Sequence, residues 1–402
     1  MQKIKPTSDA RKTGTDLVFS AIRQTSPTPR IDIVRITGLS PATVTSITAD
    51  LIANGLIEEV PAAKTAKYQK RGRPRVDLKI RGAAHLVAGV KLTDKIVTVI
   101  ILDFDGARIS DFSLPTEKPI HSSLETVDLL DDALKQALAS ANLEISDISG
   151  VGIGIPGIVD GPSGYVYWSP AISDRKIFLQ DMLIERLEVP VFLDNDANLV
   201  AIAEQRFGLG REARNFIVVS VEQGVGMGIV IDGKLHRGFH GCGAELGHTK
   251  VHLDGALCRC GQRGCLEAYV GDYALLREAS TALDSLSGKS PDVQMDILLS
   301  EARQGNQLAV SIIERAGRMF AMGLANVVNI FAPELIILAG ERMRYDYVYG
   351  GEMIAEMKKS IMQAGAPSPE VRVHKWGDLM WAMGAAAFAI DGVSEIALKE
   401  LN

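Results

Sequence analysis

From residue 83 onward, short apolar segments alternate with longer stretches of helical periodicity. This alternation is typical of α/β folds, in which helices cover buried sheets. At 402 residues, with 47% hydrophobic and 23% charged residues, the chain can bury several cores, so we expect two or three domains. The predicted strands are residues 86–92, 96–103, 151–155, 191–193, 216–221, 228–231 and 335–338, and the main predicted helices of this part are residues 124–139, 197–207, 308–331 and 379–390.

Two Asp-Gly pairs follow predicted strands at corresponding places and indicate an internal repeat. One apolar segment leads to Asp105-Gly106 and another to Asp232-Gly233. An Asp-Gly pair between extended segments is a strong hairpin signal. We therefore expect two α/β lobes, with ligands bound in the cleft between them. The predicted boundaries are residues 83–196 with about 376–402 for the first lobe, and residues 197–375, including a dimer interface, for the second.

Residues 1–82 have a different pattern, which predicts a winged helix-turn-helix domain. Helices are expected over residues 16–24, 30–37 and 41–54, with wing strands over 56–60 and 77–80. Ser40 is a suitable N-cap and Pro41 a suitable first residue for the third helix. Helical spacing turns one set of its side chains inward, namely Val44, Ile47, Leu51 and Ile52, and another set outward, namely Ala42, Thr43, Thr45, Ser46 and Thr48.

Charge is distributed unevenly between these two parts. Residues 1–82 carry a net charge of +8 and the remainder −14, within an overall charge of −6. A basic segment on an acidic body is typical of a nucleic-acid-binding module. We expect the start of the third helix to contact bases and a basic arm to enter an A·T-rich minor groove. The predicted DNA-binding residues are Ala42, Thr43, Thr45, Ser46, Arg71, Arg73 and Arg75. The alternative is a protein–protein module followed by a solvated basic linker.

The chain has neither a signal peptide nor a run of eighteen apolar residues, which favours a cytoplasmic protein without membrane partners. Three of its four cysteines, at positions 258, 260 and 265, form a tight cluster. With His248 they make a Cys₃His set suited to tetrahedral Zn²⁺, and four protein ligands favour a structural role. The alternative to a metal site is three free buried thiols. His252 could replace His248 as the fourth ligand, and Cys242 is expected to fill space as a small side chain instead of binding the ion.

Three segments resemble signatures of the ROK family of repressors, open reading frames and kinases. They are LDNDAN at residues 193–198, GAELGH at 243–248 and CRCGQRGCLE at 258–267. The N-terminal domain with its Gly72-Arg73-Pro74 arm is similar to that of the family's xylose-type and glucose or N-acetylglucosamine-type repressors. The resemblance implies the actin-like, ribonuclease-H-like ATPase fold for the body.

The resemblance also implies a sugar pocket. In family kinases the residue matching Asp196 takes a proton from a sugar hydroxyl, and those matching Asn195, Glu245, His248 and Glu267 hold other hydroxyls. Carboxylates and amides suit this task because each can accept or bridge neighbouring hydroxyl groups. The alternative role for Asp196 is to cap the helix that begins beside it, and the two roles are compatible.

Several positions depart from the pattern of family kinases. Lys91 to Lys95 stand where kinases have Asp-x-Gly-Gly-Thr, Glu222-Gln223-Gly224 replace Gly-Thr-Gly, and Ala339-Gly340 replace a paired glycine. Phosphoryl transfer needs a cradle for the nucleotide's phosphates, so we expect neither ATP binding nor kinase activity. Ala171 also replaces an asparagine that many members use in the sugar pocket, which leaves the sugar's identity open.

Together these features predict a zinc-containing transcriptional regulator, a repressor of carbohydrate uptake or catabolism genes. Its partners would be operator DNA, a sugar or sugar phosphate, and a second copy of the chain in a homodimer or tetramer. The rival hypotheses are an ATP-dependent sugar kinase that binds DNA, and a regulator controlled by a transporter or phosphotransfer protein instead of a sugar.

Overall fold

The computed structural model describes residues 8–61, 76–241, 243–340, 350–362, 365, 367–374 and 379–401, with the side chains of residues 8–12 left out. Its N-terminal part contains three helices and a pair of antiparallel strands. These elements are α1 (Ser8–Thr25), α2 (Arg30–Thr37), α3 (Pro41–Ala53), β1 (Ile57–Pro61) and β2 (Val76–Ile80).

Local signals predicted α2 and α3 correctly. Gly38 ends α2 with a left-handed φ of 69°, and the Ser40 hydroxyl accepts a hydrogen bond from the Thr43 amide at 3.1 Å. Helix α1 begins eight residues earlier than predicted. The prediction that Thr48 faces outward is wrong: its side chain is fully buried, and its Oγ1 accepts a hydrogen bond from Arg30 Nε at 3.2 Å.

The first large sheet has five strands in the order β5-β4-β3-β6-β9. Helices and a small antiparallel hairpin, β7 with β8, connect these strands along the chain. The elements are β3 (Leu86–Leu92), β4 (Ile96–Asp103), β5 (Arg108–Pro115), α4 (Ser123–Ser140), β6 (Ile148–Ile155), β7 (Ile158–Asp160), β8 (Tyr165–Trp168), α5 (Leu179–Leu187) and β9 (Val191–Asn195).

The second large sheet has the order β12-β11-β10-β13-β14. Its elements, with the helices that surround both sheets, are α6 (Asp196–Phe207), β10 (Phe216–Val221), β11 (Val225–Ile231), β12 (Lys234–Leu235), α7 (Glu267–Val270), α8 (Asp272–Ala282), α9 (Pro291–Arg303), α10 (Gln307–Phe331), β13 (Leu335–Ala339), α11 (Gly351–Ser360), β14 (Glu370–Val373) and α12 (Leu379–Glu400).

The two sheets share one topology, which confirms the predicted repeat. In each sheet the first strand pairs antiparallel with the second and parallel with the fourth, while the second also pairs antiparallel with the third. The turns at Gly106 (φ 92°) and at Asp232-Gly233 (φ 51° and 76°) close the two corresponding hairpins. A duplicated mixed sheet of this kind agrees with the expected two-lobed α/β fold.

Helix α12 packs against β3, β6 and α6. It is long and apolar enough to cross a membrane, but most of its apolar residues lie in the protein core. Glycines allow the close approach, because a Cβ on Gly152 would lie 1.8 Å from the carbonyl oxygen of Ala385. A Cβ on Gly89 would lie 2.1 Å from that of Ala382. The sheet and α12 are therefore in direct backbone contact.

The N-terminal part shares a continuous apolar core with the first sheet and α12. Phe19 and Ile22 on α1 belong to the same buried cluster as Phe104, next to β4, and Ile390 on α12. The rings of Phe19 and Phe104 have centroids 6.0 Å apart. Helices α1 and α12 are therefore in direct contact through this core.

Candidate functional site

Four side chains predicted to bind zinc converge in the second half of the chain. The ligand atoms of His248, Cys258, Cys260 and Cys265 all lie within 4.8 Å of one another. His248 Nδ1 is 3.7 Å from Cys258 Sγ, and the Sγ atoms of Cys260 and Cys265 are 3.7 Å apart. Tetrahedral Zn²⁺ with bonds of about 2.3 Å would hold sulfur atoms roughly 3.8 Å apart, so the four residues fit this ion.

The backbone of the cysteine segment explains how three sulfur atoms can face one point. The amide of Gly261 donates to the Cys258 carbonyl at 3.0 Å, which closes a tight turn. Gly261 and Gly264 have φ values of 88° and 75°, which favour glycine. His252 Nδ1 instead donates to the carbonyl of Leu253 at 2.8 Å, so the structure does not place it in the cluster. Cys242 lies outside the described residues.

A lysine beside the cluster escaped the sequence analysis. Lys250 Nζ lies 2.9 Å from Cys265 Sγ and 2.7 Å from the Gln262 side-chain oxygen. Three thiolates and a neutral imidazole around Zn²⁺ would carry a net charge of −1. The Lys250 ammonium can offset this charge through a charge-assisted hydrogen bond. The sequence gives no local signal for this contact, because Lys250 lies fifteen residues before Cys265.

Three carboxylates predicted to bind a ligand gather next to this cluster. Asp196 is the first residue of α6, Glu267 is the first residue of α7, and Glu245 precedes a short 3₁₀ helix, Leu246–His248. Desolvation, and then the charges of Asp196 and Glu267, raise the pKa of Glu245 to about 7. Burial also raises the pKa of Asp196, although the Lys91 ammonium partly opposes the shift. The sequence motifs thus converge on one acidic site.

Glu267 links the carboxylates to the cysteine cluster. Its Oε1 lies 3.6 Å from Cys258 Sγ and accepts a hydrogen bond from the Tyr273 hydroxyl at 3.4 Å. Its Oε2 accepts from the amide of Val225 at 3.4 Å. His248, which belongs to the cysteine cluster, comes three residues after Glu245. The candidate metal centre and the candidate ligand site therefore share a wall.

Asn195 makes two contacts within the protein. Its Oδ1 accepts a hydrogen bond from the Ala197 amide at 2.9 Å, and its Nδ2 donates to the Gly157 carbonyl at 2.6 Å. Asp196 Oδ1 also accepts from the Ala197 amide at 2.9 Å, but the N-cap of α6 is Asn195 and Asp196 is the first helical residue, so the alternative capping role of Asp196 is wrong. The Asn195 side chain therefore fixes the start of α6, and its predicted contact with a ligand stays a prediction.

Two segments that were predicted to replace kinase phosphate loops face each other. Gln223 Nε2 donates to Asp94 Oδ2 at 2.8 Å, and Lys91 Nζ lies 3.8 Å from Glu222 Oε2. Lys91 is buried, with its ammonium 3.6 Å from the ring centroid of Trp381 at the start of α12. Side chains of the two turns thus pair across the space between the sheets.

The predicted base-contacting residues occupy one exposed face of α3. Ala42, Thr43, Thr45 and Ser46 are all exposed, although the Thr45 hydroxyl donates to the Pro41 carbonyl at 2.8 Å. The Thr43 and Ser40 hydroxyls are hydrogen-bonded to each other at 2.8 Å. The three predicted arm residues, Arg71, Arg73 and Arg75, lie outside the described residues.

The chain is similar in sequence to proteins named as transcriptional regulators. The chain is 28% identical to the xylose repressor of Caldicellulosiruptor bescii, over 93% of this chain and 94% of that protein. It is 30% identical to the DNA-binding transcriptional dual regulator NagC of Escherichia coli, over 82% of this chain and 81% of NagC.

Solved structures share the fold. A ROK family transcriptional regulator, a homologue of the E. coli MLC protein, superposes with a TM-score of 0.81 at 24% identity, covering 97% of this chain and 99% of that one. A ROK family glucokinase from Streptomyces griseus, solved with glucose and AMPPNP, gives a TM-score of 0.66 at 29% identity, covering 76% and 100% of the two chains. The ROK family model matches residues 88–392, and the chain therefore belongs to the ROK family.

Proposed function

We propose that this protein is a sequence-specific, DNA-binding transcriptional repressor of carbohydrate uptake or catabolism genes, controlled by a sugar or sugar derivative. The observation that carries the proposal is the exposed hydroxyl-rich face of α3, on a three-helix unit that shares its core with a ROK body. Relatives named as xylose repressors match 93% or more of the chain. A repressor of this class works in the cytoplasm, where the operator DNA is.

In this proposal the N-terminal unit is a winged helix-turn-helix. Helix α2 and the recognition helix α3 form the motif, and β1 with β2 forms the wing. Thr43, Thr45, Ser46 and Ala42 would face base edges in the major groove, where hydroxyl and methyl groups give modest discrimination. Arg71, Arg73 and Arg75 would supply further contacts in the minor groove.

The effector would bind between the lobes, at Asp196, Glu245 and Glu267. Three clustered carboxylates, of which Asp196 and Glu245 have raised pKa values, suit a ligand that presents several hydroxyl groups. His248 has two ring nitrogens, so Nδ1 can bind zinc while Nε2 remains for the ligand. Zinc would thereby hold one wall of the pocket in place without taking part in chemistry, and the Asn195 amide would complete the polar lining.

We further propose that the protein transfers no phosphoryl group. The support is that Gln223 bonds to Asp94 and Lys91 lies near Glu222, in the segments predicted to replace a kinase's phosphate loops. In a coupled assay with ATP and hexoses, we expect no turnover above that of the Asp196→Asn variant. Turnover that this substitution abolishes would establish a kinase instead.

The proposed assembly is a homodimer, or a tetramer built from dimers, that reads two-fold-symmetric sites. Paired recognition helices bind half-sites one helical turn apart or multiples of it, so a palindromic operator implies a two-fold axis. The proposed lobes are residues 83–196 with 376–402 and residues 197–375, with the dimer interface on the second. Light scattering of the full chain at micromolar concentration measures the assembly directly.

Selection of sheared genomic DNA on the purified protein, near physiological salt, tests the DNA-binding proposal. We expect enrichment of discrete two-fold-symmetric sites by the wild type and weaker enrichment by Thr45→Ala. Thr281→Ala is a matched control, because the Thr281 hydroxyl on α8 is also exposed and bonded to its own helix. Enrichment of bulk A·T-rich DNA alone would contradict the proposal.

A further inference from the structure

Asp194, at the end of β9, is a fully buried carboxylate that neither the metal centre nor the acidic site uses. Its Oδ2 accepts a hydrogen bond from Arg237 Nε at 2.7 Å. Its Oδ1 accepts from the Asn195 amide at 2.7 Å and from Asn198 Nδ2 at 2.8 Å. A buried carboxylate needs partners of this kind. Asp194 is therefore an anchor within the protein and not a contact for a ligand.

Arg237 brings this anchor to a loop of the second sheet. The described residues of this loop, 236–241 and 243–245, lie between β12 and the short helix Leu246–His248 and end with Glu245; we call them loop 236–245. The carbonyl of Arg237 accepts from the Gly243 amide at 3.0 Å, which closes the loop on itself. The Arg237 guanidinium also lies 5.2 Å from the ring centroid of Phe388 on α12. One side chain thus joins the loop to β9 and to α12.

A close backbone contact seats the middle of the same loop. A Cβ on Gly241 would lie 2.6 Å from the carbonyl oxygen of Val159 on β7, a strand that follows β6 of the first sheet. Glu245, at the loop's end, lies close enough to Asp196 for their charges to interact. Two separate contacts therefore hold this loop of the second sheet against the first, beside the acidic site.

We infer that Arg237 is a positioning residue of the ligand site: its ion pair with Asp194 clamps loop 236–245 over Asp196, and this sets the affinity for a polyhydroxylated ligand. The inference rests on the proposed function, since it concerns the same site. Arginine suits the task because its planar guanidinium can bond a carboxylate while it stacks on an aromatic ring. Without the clamp, Glu245 would no longer be held opposite Asp196.

Hydrogen exchange and calorimetry on the full-length, zinc-loaded protein test the clamp together. The probes are D-glucose, D-xylose, N-acetyl-D-glucosamine, and the 6-phosphates of D-glucose and N-acetyl-D-glucosamine. For Arg237→Gln we expect exchange at residues 238–245 at least tenfold faster than in the wild type without sugar. We also expect at least a tenfold higher Kd for whichever sugar the wild type binds, while Arg237→Lys lies between the two. Arg214→Ala is the control, because Arg214 is exposed and pairs only loosely with Asp232 at 3.7 Å.

Wild-type exchange and wild-type sugar affinity in Arg237→Gln would overturn the inference. If this variant fails to fold or loses zinc, Asp194→Asn replaces it, with the same two readouts and the same criteria. Should the wild type bind none of the sugars, the proposed effector class fails. The exchange rates still decide the clamp in that case, because they are measured without sugar.

Discussion

Arg23 on α1 donates a hydrogen bond from Nη2 to the hydroxyl of Ser394 on α12, at 2.6 Å. Its Nη1 lies 3.3 Å from Asp391 of the same helix, and its guanidinium is 5.0 Å from the ring centroid of Phe104. Burial, followed by the charge of Arg206, lowers the pKa of Arg23 to about 9, so it stays charged at neutral pH. At the other end of α12, the ring of Trp381 contacts the ammonium of Lys91. Helix α12 therefore connects the cleft between the sheets with the N-terminal unit.

Replacing Arg23 should uncouple DNA binding from the ligand. In Arg23→Ala, Asp391 keeps its ion pair with Arg206 at 2.5 Å, so the body should remain folded. We expect a loss of about 1–3 kcal/mol in the free energy of unfolding, from the charge-assisted hydrogen bonds. The fold-change that sugar produces in operator affinity should fall several-fold. Fluorescence anisotropy with labelled operator measures it.

Lys399→Ala is the control for that experiment. Lys399 lies near the end of α12 but forms only an exposed ion pair with Glu395, at 2.8 Å. Such pairs contribute about 0–1 kcal/mol, and this variant should respond to sugar as the wild type does. Equal responses in Arg23→Ala and the wild type would show that the contact between α1 and α12 carries no coupling.

Zinc should be present at one ion per chain and should depend on the four clustered side chains. We expect Cys265→Ser to lose zinc because Cys265 is fully buried in the cluster, whereas Cys242→Ser should retain it. Removing zinc should cost at least ~2.7 kcal/mol of stability relative to protein with free zinc at 100 times its Kd. Elemental analysis and chemical unfolding measure the two effects. Full zinc content in Cys265→Ser would refute the ligand assignment.

The stability of the acidic site should depend on pH through Glu245. Its pKa is about 7 in the folded protein, against about 4.3 for glutamate in an unfolded chain. Between these values the native state binds more protons, so the free energy of unfolding falls as pH rises. Because glutamine does not titrate, the free energy of unfolding of Glu245→Gln should not fall in this way. The variant should therefore gain stability relative to the wild type as pH rises from 4 to 8.

The gain should be a fraction of the roughly 1.4 kcal/mol per pKa unit that applies to a fully buried group: neighbouring groups partly desolvate the Glu245 carboxyl, but the residue keeps an exposed surface, and solvent screens its charge. Urea unfolding of both proteins at matched zinc content measures the difference. A stability difference that stays constant over this pH range would contradict the account of the carboxylate cluster.

The contact between α12 and the first sheet should tolerate no side chain at Gly152. A Cβ there would meet the backbone of Ala385, which cannot move without shifting α12. Gly152→Ala should lose about 3 kcal/mol or more of stability, by chemical unfolding. Gly351→Ala, at the start of α11, is the control: its Cβ would meet nothing within 4 Å, so we expect a change within about 0.5 kcal/mol. If Gly152→Ala and the wild type have similar unfolding midpoints, α12 packs less closely against the first sheet than this contact implies.

Local patterns in the sequence predicted much of the fold. Helix α3 follows from its cap at Ser40 and its apolar spacing, and the hairpins at Gly106 and Gly233 follow from Asp-Gly pairs. The edge strands β5 and β14 were missed because many of their side chains are exposed and lack a strong apolar pattern. Edge strands need fewer apolar residues because less of their surface is buried.

Contacts between distant residues could not be predicted in the same way. Thr48 lies four residues after Val44 and so on the inward face of α3, and its buried hydroxyl accepts from Arg30, eighteen residues away, a contact that no local pattern reveals. The cluster of His248 and three cysteines was predicted because the three cysteines lie within eight residues. Asp194 and Arg237 are forty-three residues apart, and only the folded chain brings them together.

In the proposed repressor, sugar binding and DNA binding are coupled within one chain. The most direct test is titration of a selected operator with the full-length protein, with and without each sugar at saturation. We expect that one sugar raises the operator Kd, and that operator DNA raises the Kd of that sugar by the same factor, because coupling is reciprocal. If no sugar or sugar phosphate changes the operator Kd, the protein is not a sugar-controlled repressor.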